Sequence, residues 1–268
     1  MIEVRDLSVT ISGKTIIEDV SFKAYPRQVN VIVGPNGSGK TTLMRALCGD
    51  VSYGGEALLD GANFRSFKPW QMAERRAVLP QATSLSFPFS VREIVRLGLT
   101  GGFSGVSAQE QEMLPDLALK MVDLEGFSGR LYQELSGGEQ QRVQLARVLC
   151  QVWKPVIDGR PRYLFLDEPI SSLDIRHQIM VMNIARKFAS DGGGVVAILH
   201  DLNLTAMFAD QIIIMQSGKL DGAGAPRTML TGKRLSRIYG CNLCVGMVPP
   251  PDVPFILPHG SLEDVSGI

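Results

Sequence analysis

Apolar and polar positions alternate at the start of the chain. Ile2, Val4, Leu7, Val9 and Ile11 are apolar, and Ser12-Gly13 forms a turn after them. A period of two buries one face of a strand, so this segment predicts antiparallel strands. Val29–Val33 is different: a short apolar run, broken only by Asn30, that stops at Gly34. Tyr163–Leu166, Val195–Leu199 and Ile212–Met215 repeat that pattern, with helical patterns between them. Strands that are apolar throughout belong to a mostly parallel sheet covered on both faces, which predicts α/β architecture. Between Ser90 and Cys150 the signals are helical. Ser90 and Glu93 have capping-box spacing, followed by Val91, Ile94 and Val95 on one face. Leu114, Leu117, Ala118, Met121 and Val122 recur at helical spacing and are expected in the core. From Val248 onward, Pro249, Pro250, Pro251, Pro254 and Pro258 predict an extended, packed or mobile strap. The expected organisation is an α/β lobe with an N-terminal β subdomain (1–89 and 151–247), an inserted helical subdomain (90–150) and a Pro-rich tail (248–268).

Composition narrows the function classes. The 268 residues are 45% hydrophobic and 20% charged, as expected of a globular chain. Lys+Arg and Asp+Glu number 27 each, so no global positive field is available for gripping nucleic acid. No apolar stretch approaches the roughly 18 residues that cross a bilayer, and Met1–Asp6 lacks the basic-then-apolar layout of a secretory signal. The chain is therefore expected in the cytoplasm, with any membrane role coming through a partner. Cys48, Cys150, Cys241 and Cys244 are expected to be reduced and mostly packed. The one C-x-x-C pair, Cys241 and Cys244, has no second pair or nearby His to make it a zinc site.

Three segments carry chemistry. Gly34-Pro35-Asn36-Gly37-Ser38-Gly39-Lys40-Thr41 fits G-x-x-x-x-G-K-[ST], directly after a predicted strand and before a predicted helix. Its glycines let backbone N–H groups turn inward around phosphate oxygens, and the helix N-terminus adds a positive dipole end. Lys40 can reach the β- and γ-phosphates of a nucleotide, and the Thr41 hydroxyl, next to Thr42, can ligate Mg²⁺. Tyr163–Glu168 is an apolar strand ending in two carboxylates: Asp167 is placed to hold magnesium, and Glu168 to orient or deprotonate a water. In Leu135-Ser136-Gly137-Gly138-Glu139-Gln140-Gln141-Arg142, Ser136 and Glu139 have capping-box spacing and two glycines leave N–H groups bare at a helix start.

This third segment resembles the signature motif of ATP-binding cassette (ABC) ATPases, and the resemblance extends over nearly the whole chain. It implies a P-loop NTPase fold of the ABC nucleotide-binding type, with an antiparallel β subdomain and an inserted helical subdomain. Gln81, after Leu79-Pro80, matches the Q-loop glutamine, which in the family touches Mg²⁺ and the attacking water. Ser171-Ser172-Leu173-Asp174 matches the D-loop, and His200 the switch histidine that contacts the γ-phosphate. The implied catalytic set is Glu168, His200 and Gln81; the implied metal set is Thr41, Gln81 and Asp167. The implied nucleotide contacts are Gly34 to Thr42 and, from the second subunit of a homodimer, Ser136, Gly137, Gly138, Glu139 and Asp174.

One departure concerns adenine. The family usually places an aromatic residue where this chain has Ile11, so an apolar contact without ring stacking is expected, with Tyr25 as a candidate substitute. His200-Asp201-Leu202-Asn203-Leu204 and Phe87-Pro88-Phe89-Ser90-Val91 resemble ATPases of importers for haem, siderophores and vitamin B12. The long link from Gln151 to Arg162 looks most like that of haem importers. The resemblance implies ATP and Mg²⁺, two permease subunits, an indirect link to a periplasmic haem-binding protein, and a place at the cytoplasmic face of the bacterial inner membrane. A siderophore or cobalamin importer is the alternative. A soluble ABC protein acting on nucleic acid is disfavoured by the single cassette, the zero net charge and the absence of coiled-coil heptads. A P-loop GTPase is disfavoured by the absence of N-K-x-D. Phe87, Pro88 and Phe89 are expected either to meet a permease helix or to pack into the helical subdomain.

Overall fold

The computed structural model describes residues 1–81, 87–101 and 104–257. Two sheets share the core. A four-stranded antiparallel sheet has the order Lys14–Ala24, Ile2–Ile11, Gly54–Leu59, Ala62–Asn63. The N-terminal alternation accounts for it: Ile2, Val4, Leu7 and Val9 are buried, and most residues between them are partly or fully exposed. A six-stranded sheet has the order Lys219–Gly224, Gln211–Gln216, Val29–Val33, Gly194–Ile198, Tyr163–Asp167, Arg76–Leu79. All of its pairings are parallel except that of the edge strand Lys219–Gly224.

The apolar runs serve both faces of this second sheet. Val29, Val31, Val33, Leu164, Leu166, Val195, Ala197, Ile212 and Ile214 join the core formed with the helices. Their alternates Ile32, Tyr163, Phe165, Val196, Ile198, Ile213 and Met215 join the core shared with the antiparallel sheet and helix Lys40–Cys48. Each such buried aliphatic side chain contributes about 1.5–3 kcal/mol, which is why these strands carry almost no polar residue. Inside the apolar runs Asn30 is the exception, and it is satisfied. Its Nδ2 donates to the carbonyls of Tyr25, Gln28 and Val195, and its Oδ1 accepts from Tyr25 N.

Between the sheet strands lie helices Val91–Leu97, Ala108–Gln111, Leu114–Met121 and Gly137–Gln151. Ser90 and Glu93 form the expected capping box. One core expectation is corrected here. Leu114, Ala118 and Val122 are buried, but Leu117 and Met121 lie on the outer face of their helix, 43% and 39% exposed. The buried arc of this short helix is narrower than its apolar arc, because the helices packed most closely on it, Val91–Leu97 and Gly137–Gln151, cover one side.

Two further features bear on sequence expectations. The link after Gln151 forms a small hairpin, Val156–Ile157 with Arg160–Pro161. Next to it, buried Arg162 donates to the carbonyls of Gln151 and Glu74 (both 2.7 Å) and Lys154 (3.3 Å). The Arg162 guanidinium thereby supplies a donor to the last carbonyl of the long helix, that of Gln151, and to a carbonyl in the last turn of helix Pro69–Arg75, that of Glu74. Of the cysteines, Cys150 is buried and Cys48 half-buried, whereas Cys241 and Cys244 are exposed rather than packed; all four are free. Residues 248–257 form no helix or strand and are mostly exposed; Pro258 lies outside the described residues.

Candidate active site

Four neighbouring strands of the parallel sheet deliver the functional residues at one edge, their C-terminal ends, where ligands of open α/β sheets bind. Val29–Val33 runs into the Gly34–Lys40 loop, Gly194–Ile198 into His200, Tyr163–Asp167 into Glu168, and Arg76–Leu79 into Gln81. Residues far apart in sequence meet because their strands are adjacent in the order of the sheet. Together they line a cleft of about 870 Å³ formed by Ile16, Asn36, Gly37, Gly39, Lys40, Thr41, Thr42, Gln81, Glu168 and His200.

The loop turns as its glycines allow. Gly34 has φ +152°, and a Cβ there would lie 2.1 Å from the carbonyl oxygen of Met215, so no other residue fits. The Lys40 ammonium folds back over its own loop, donating to the carbonyls of Gly34 (2.8 Å) and Pro35 (3.0 Å). Burial lowers its pKa, opposed by the charges of Glu168 and Asp167. Ser38, also in the loop, has a buried hydroxyl without a partner.

The two carboxylates at the end of strand Tyr163–Asp167 occupy opposite environments. Asp167 is 5% exposed, and its Oδ1 is buried without a hydrogen-bond partner. Burial and the adjacent Glu168 push its pKa up to about 6, against the pull of Lys40 and His200. Glu168 faces the cleft. Its Oε2 accepts from Gln81 Nε2 at 3.0 Å, and its Oε1 lies 2.6 Å from His200 Nε2. The three residues expected to form the catalytic set are therefore in direct contact.

The signature residues stand elsewhere. Ser136 caps helix Gly137–Gln151: its Oγ accepts from Glu139 N, and Glu139 Oε2 accepts from both Ser136 N and Oγ at 2.7 Å. Those bonds hold the Glu139 carboxyl below its usual range. Asp174 likewise caps helix Ile175–Ser190 through His177 N. Neither Ser136–Glu139 nor Asp174 lines the cleft of its own chain.

Two residues that sequence reasoning passed over meet the site. Among the described residues the apolar one lining the cleft is Ile16; Ile11, at the tip of the first hairpin, and Tyr25, 40% exposed, do not line it. Ile16 carried a signal, an apolar residue directly before core residue Ile17 that breaks the alternation of its strand. Gln141 was overlooked: its Nε2 donates to the carbonyl oxygen of Glu168 at 2.9 Å. Phe87 is 71% exposed beside exposed Pro88, while Phe89 is half-buried against the helical core.

The sequence profile of ABC transporters matches residues 17–171, more than half of the chain. The chain belongs to the ABC transporter family. Among full-length relatives of this ABC protein, the "Hemin import ATP-binding protein HmuV" of Mesorhizobium japonicum is 60% identical over 98% of this chain and all of its own. The protein of the same name from Rhizobium johnstonii is 54% identical over 98% and 99%. A solved dimeric bacterial ABC transporter cassette superposes with a TM-score of 0.72 at 25% identity, over 85% of this chain and 99% of its own.

Proposed function

We propose that this chain is the ATP-hydrolysing subunit of a bacterial haem importer, acting as a homodimer beneath two permease subunits at the cytoplasmic face of the inner membrane. The contact of Glu168 with Gln81 and His200 at the mouth of a phosphate-binding loop carries the reaction. Full-length relatives named for hemin import support the cargo. Among the described residues no helix is long and apolar enough to cross a membrane, so coupling to transport falls to the permeases.

In this reading the Gly34–Lys40 loop binds the ATP phosphates through its backbone N–H groups, and Lys40 exchanges its two carbonyl partners for β- and γ-phosphate oxygens. Glu168 accepts the proton of the attacking water. Gln81 and His200, which hold its carboxylate between them, orient the water and the γ-phosphate. Thr41 and Asp167 would hold Mg²⁺, with Gln81 nearby; the unpartnered Oδ1 of Asp167 fits an oxygen ligand awaiting a cation. Bound there, Mg²⁺ supplies charge neutralisation across the phosphate oxygens. Ser136 to Glu139 and Asp174, remote from the cleft of their own chain, complete the site of the other subunit, and a single subunit is nearly inactive. Substrate reaches the permeases from a periplasmic haem-binding protein that this chain does not touch. Nucleic acid has no part in the cycle.

The test is reconstitution with the neighbouring permease and binding protein. The wild type moves haem into the compartment holding ATP, while Glu168→Gln binds ATP and accumulates as an ATP-locked dimer. Transport of a ferric siderophore or cobalamin without haem overturns the cargo. Near-normal hydrolysis by Glu168→Gln overturns the role of Glu168.

A further inference from the structure

Glu168 has φ +52°, a left-handed conformation that a residue with a side chain adopts at a cost and keeps only when its surroundings hold it there. Its carbonyl oxygen accepts from Ser171 Oγ at 3.2 Å and Ser171 N at 3.4 Å, both within the same turn. The shortest donor comes from another element: Gln141 Nε2, at 2.9 Å, from the first turns of helix Gly137–Gln151. The other end of the Gln141 amide, Oε1, is buried without a partner. The amide is thus kept in place by its one bond to Glu168, despite a desolvation cost. A second contact reinforces the alignment. Three residues earlier, Gly138 lies so close to the segment after Glu168 that a Cβ would be 3.0 Å from the carbonyl oxygen of Ser172.

We infer that Gln141 is a positioning residue: by donating to the carbonyl of Glu168 it fixes that strained peptide and ties the catalytic carboxylate to the signature helix of its own chain. This rests on the reading of Glu168 as the base. The peptide of Glu168 sets where its carboxylate meets Gln81 and His200, so a shift of the signature helix is passed to the base through one hydrogen bond. Engagement of the signature residues by the opposite subunit's nucleotide is such a shift. The inference therefore connects a residue outside the cleft lining of its own chain to the rate of water activation.

The experiment uses the full chain and two substitutions of nearly unchanged length. Gln141→Met removes the donor; Gln141→Glu keeps the shape but sets an oxygen against the carbonyl, and covers the case in which Gln141→Met fails to fold. Each is measured alone and combined with Glu168→Gln, for ATP affinity, steady-state hydrolysis and urea midpoint. Expected is at least a ten-fold fall in kcat with KM for ATP within two-fold in both variants, with the urea midpoint unchanged in Gln141→Met and lowered in Gln141→Glu, where a carboxylate oxygen is buried against the carbonyl. In the Glu168→Gln background no further loss is expected, because the base on which Gln141 acts is already gone. A kcat within two-fold of wild type, a rise in KM matching the loss, or a loss that multiplies fully onto Glu168→Gln overturns the inference. If Glu168→Gln itself hydrolyses ATP normally, the assignment of the base falls and this inference with it. If Glu168→Gln is inactive and Gln141→Met is not impaired, only the inference on Gln141 falls.

Discussion

Asp167 is kept charged at a measurable cost, and Asp167→Asn removes it. The carboxyl is raised from 3.8 to about 6 by burial and by Glu168. At 1.36 kcal/mol per pH unit this corresponds to about 3 kcal/mol. Relaxation of the surrounding groups around a buried charge, which gives the site an effective dielectric well above that of a dry interior, brings the expected gain to roughly 1–3 kcal/mol. The sign follows from linkage. A folded-state pKa above the unfolded value means that the native state binds the proton more tightly. The penalty is therefore absent below about pH 3.8, grows as pH rises, and is complete above about pH 6. Asparagine has nearly the same shape and no charge to desolvate, and Lys40 retains both of its carbonyl partners. Urea unfolding of the nucleotide-free protein, wild type against Asp167→Asn, should show the variant more stable at pH 8, with about half of that gain at pH 5. Other carboxylates, such as that of Glu139, are held low and act in the opposite direction, but they cancel in the difference between the two proteins. The same variant should lose Mg²⁺-dependent ATP hydrolysis. A variant less stable than wild type, or a difference flat from pH 5 to pH 8, refutes the argument that burial of this charge is a net cost.

Lys40→Ala removes the ammonium meant for the β- and γ-phosphates. Charge-assisted bonds contribute about 1.5–3 kcal/mol each, so ATP affinity in direct binding should fall roughly 100-fold or more, and unchanged affinity excludes the role. Ser136→Arg places bulk where the opposite subunit's γ-phosphate is expected. ATP binding should survive while dimerisation and hydrolysis fail together, and hydrolysis by isolated monomers would contradict the shared site. Phe87→Ala alters a side chain 71% exposed, so stability should change by less than about 0.5 kcal/mol. Co-purification with the permease and transport-coupled hydrolysis should weaken, and full retention of both assigns Phe87 no part in docking.

Local order was written in the sequence wherever the cause is local. The run Val29–Val33 coincides with a strand because five successive residues meet core on both faces. Ser90, Ser107 and Ser136 begin helices because each has a glutamate three residues on to complete a capping box. The phosphate loop was legible because its glycines answer to backbone geometry alone, and the Asp167-Glu168 pair because it ends an apolar strand. The apolar runs and the motif spacing thus determined the α/β class and the phosphate chemistry, and the resemblance of Leu135–Arg142 to the ABC signature implied the family.

The tertiary structure decided what depends on partners distant in the chain. Gln81, Glu168 and His200 became one constellation only because their strands lie side by side in a sheet whose order differs from chain order. Leu117 and Met121 were apolar at helical spacing yet exposed, because periodicity shows which residues share a face but not how wide an arc neighbouring helices cover. Ile16, not Ile11, reaches the cleft, since the tip of a hairpin is positioned by packing rather than by alternation. Gln141 was invisible for the same reason. Its partner is a main-chain carbonyl 27 residues away in sequence, and a carbonyl has no identity in a sequence.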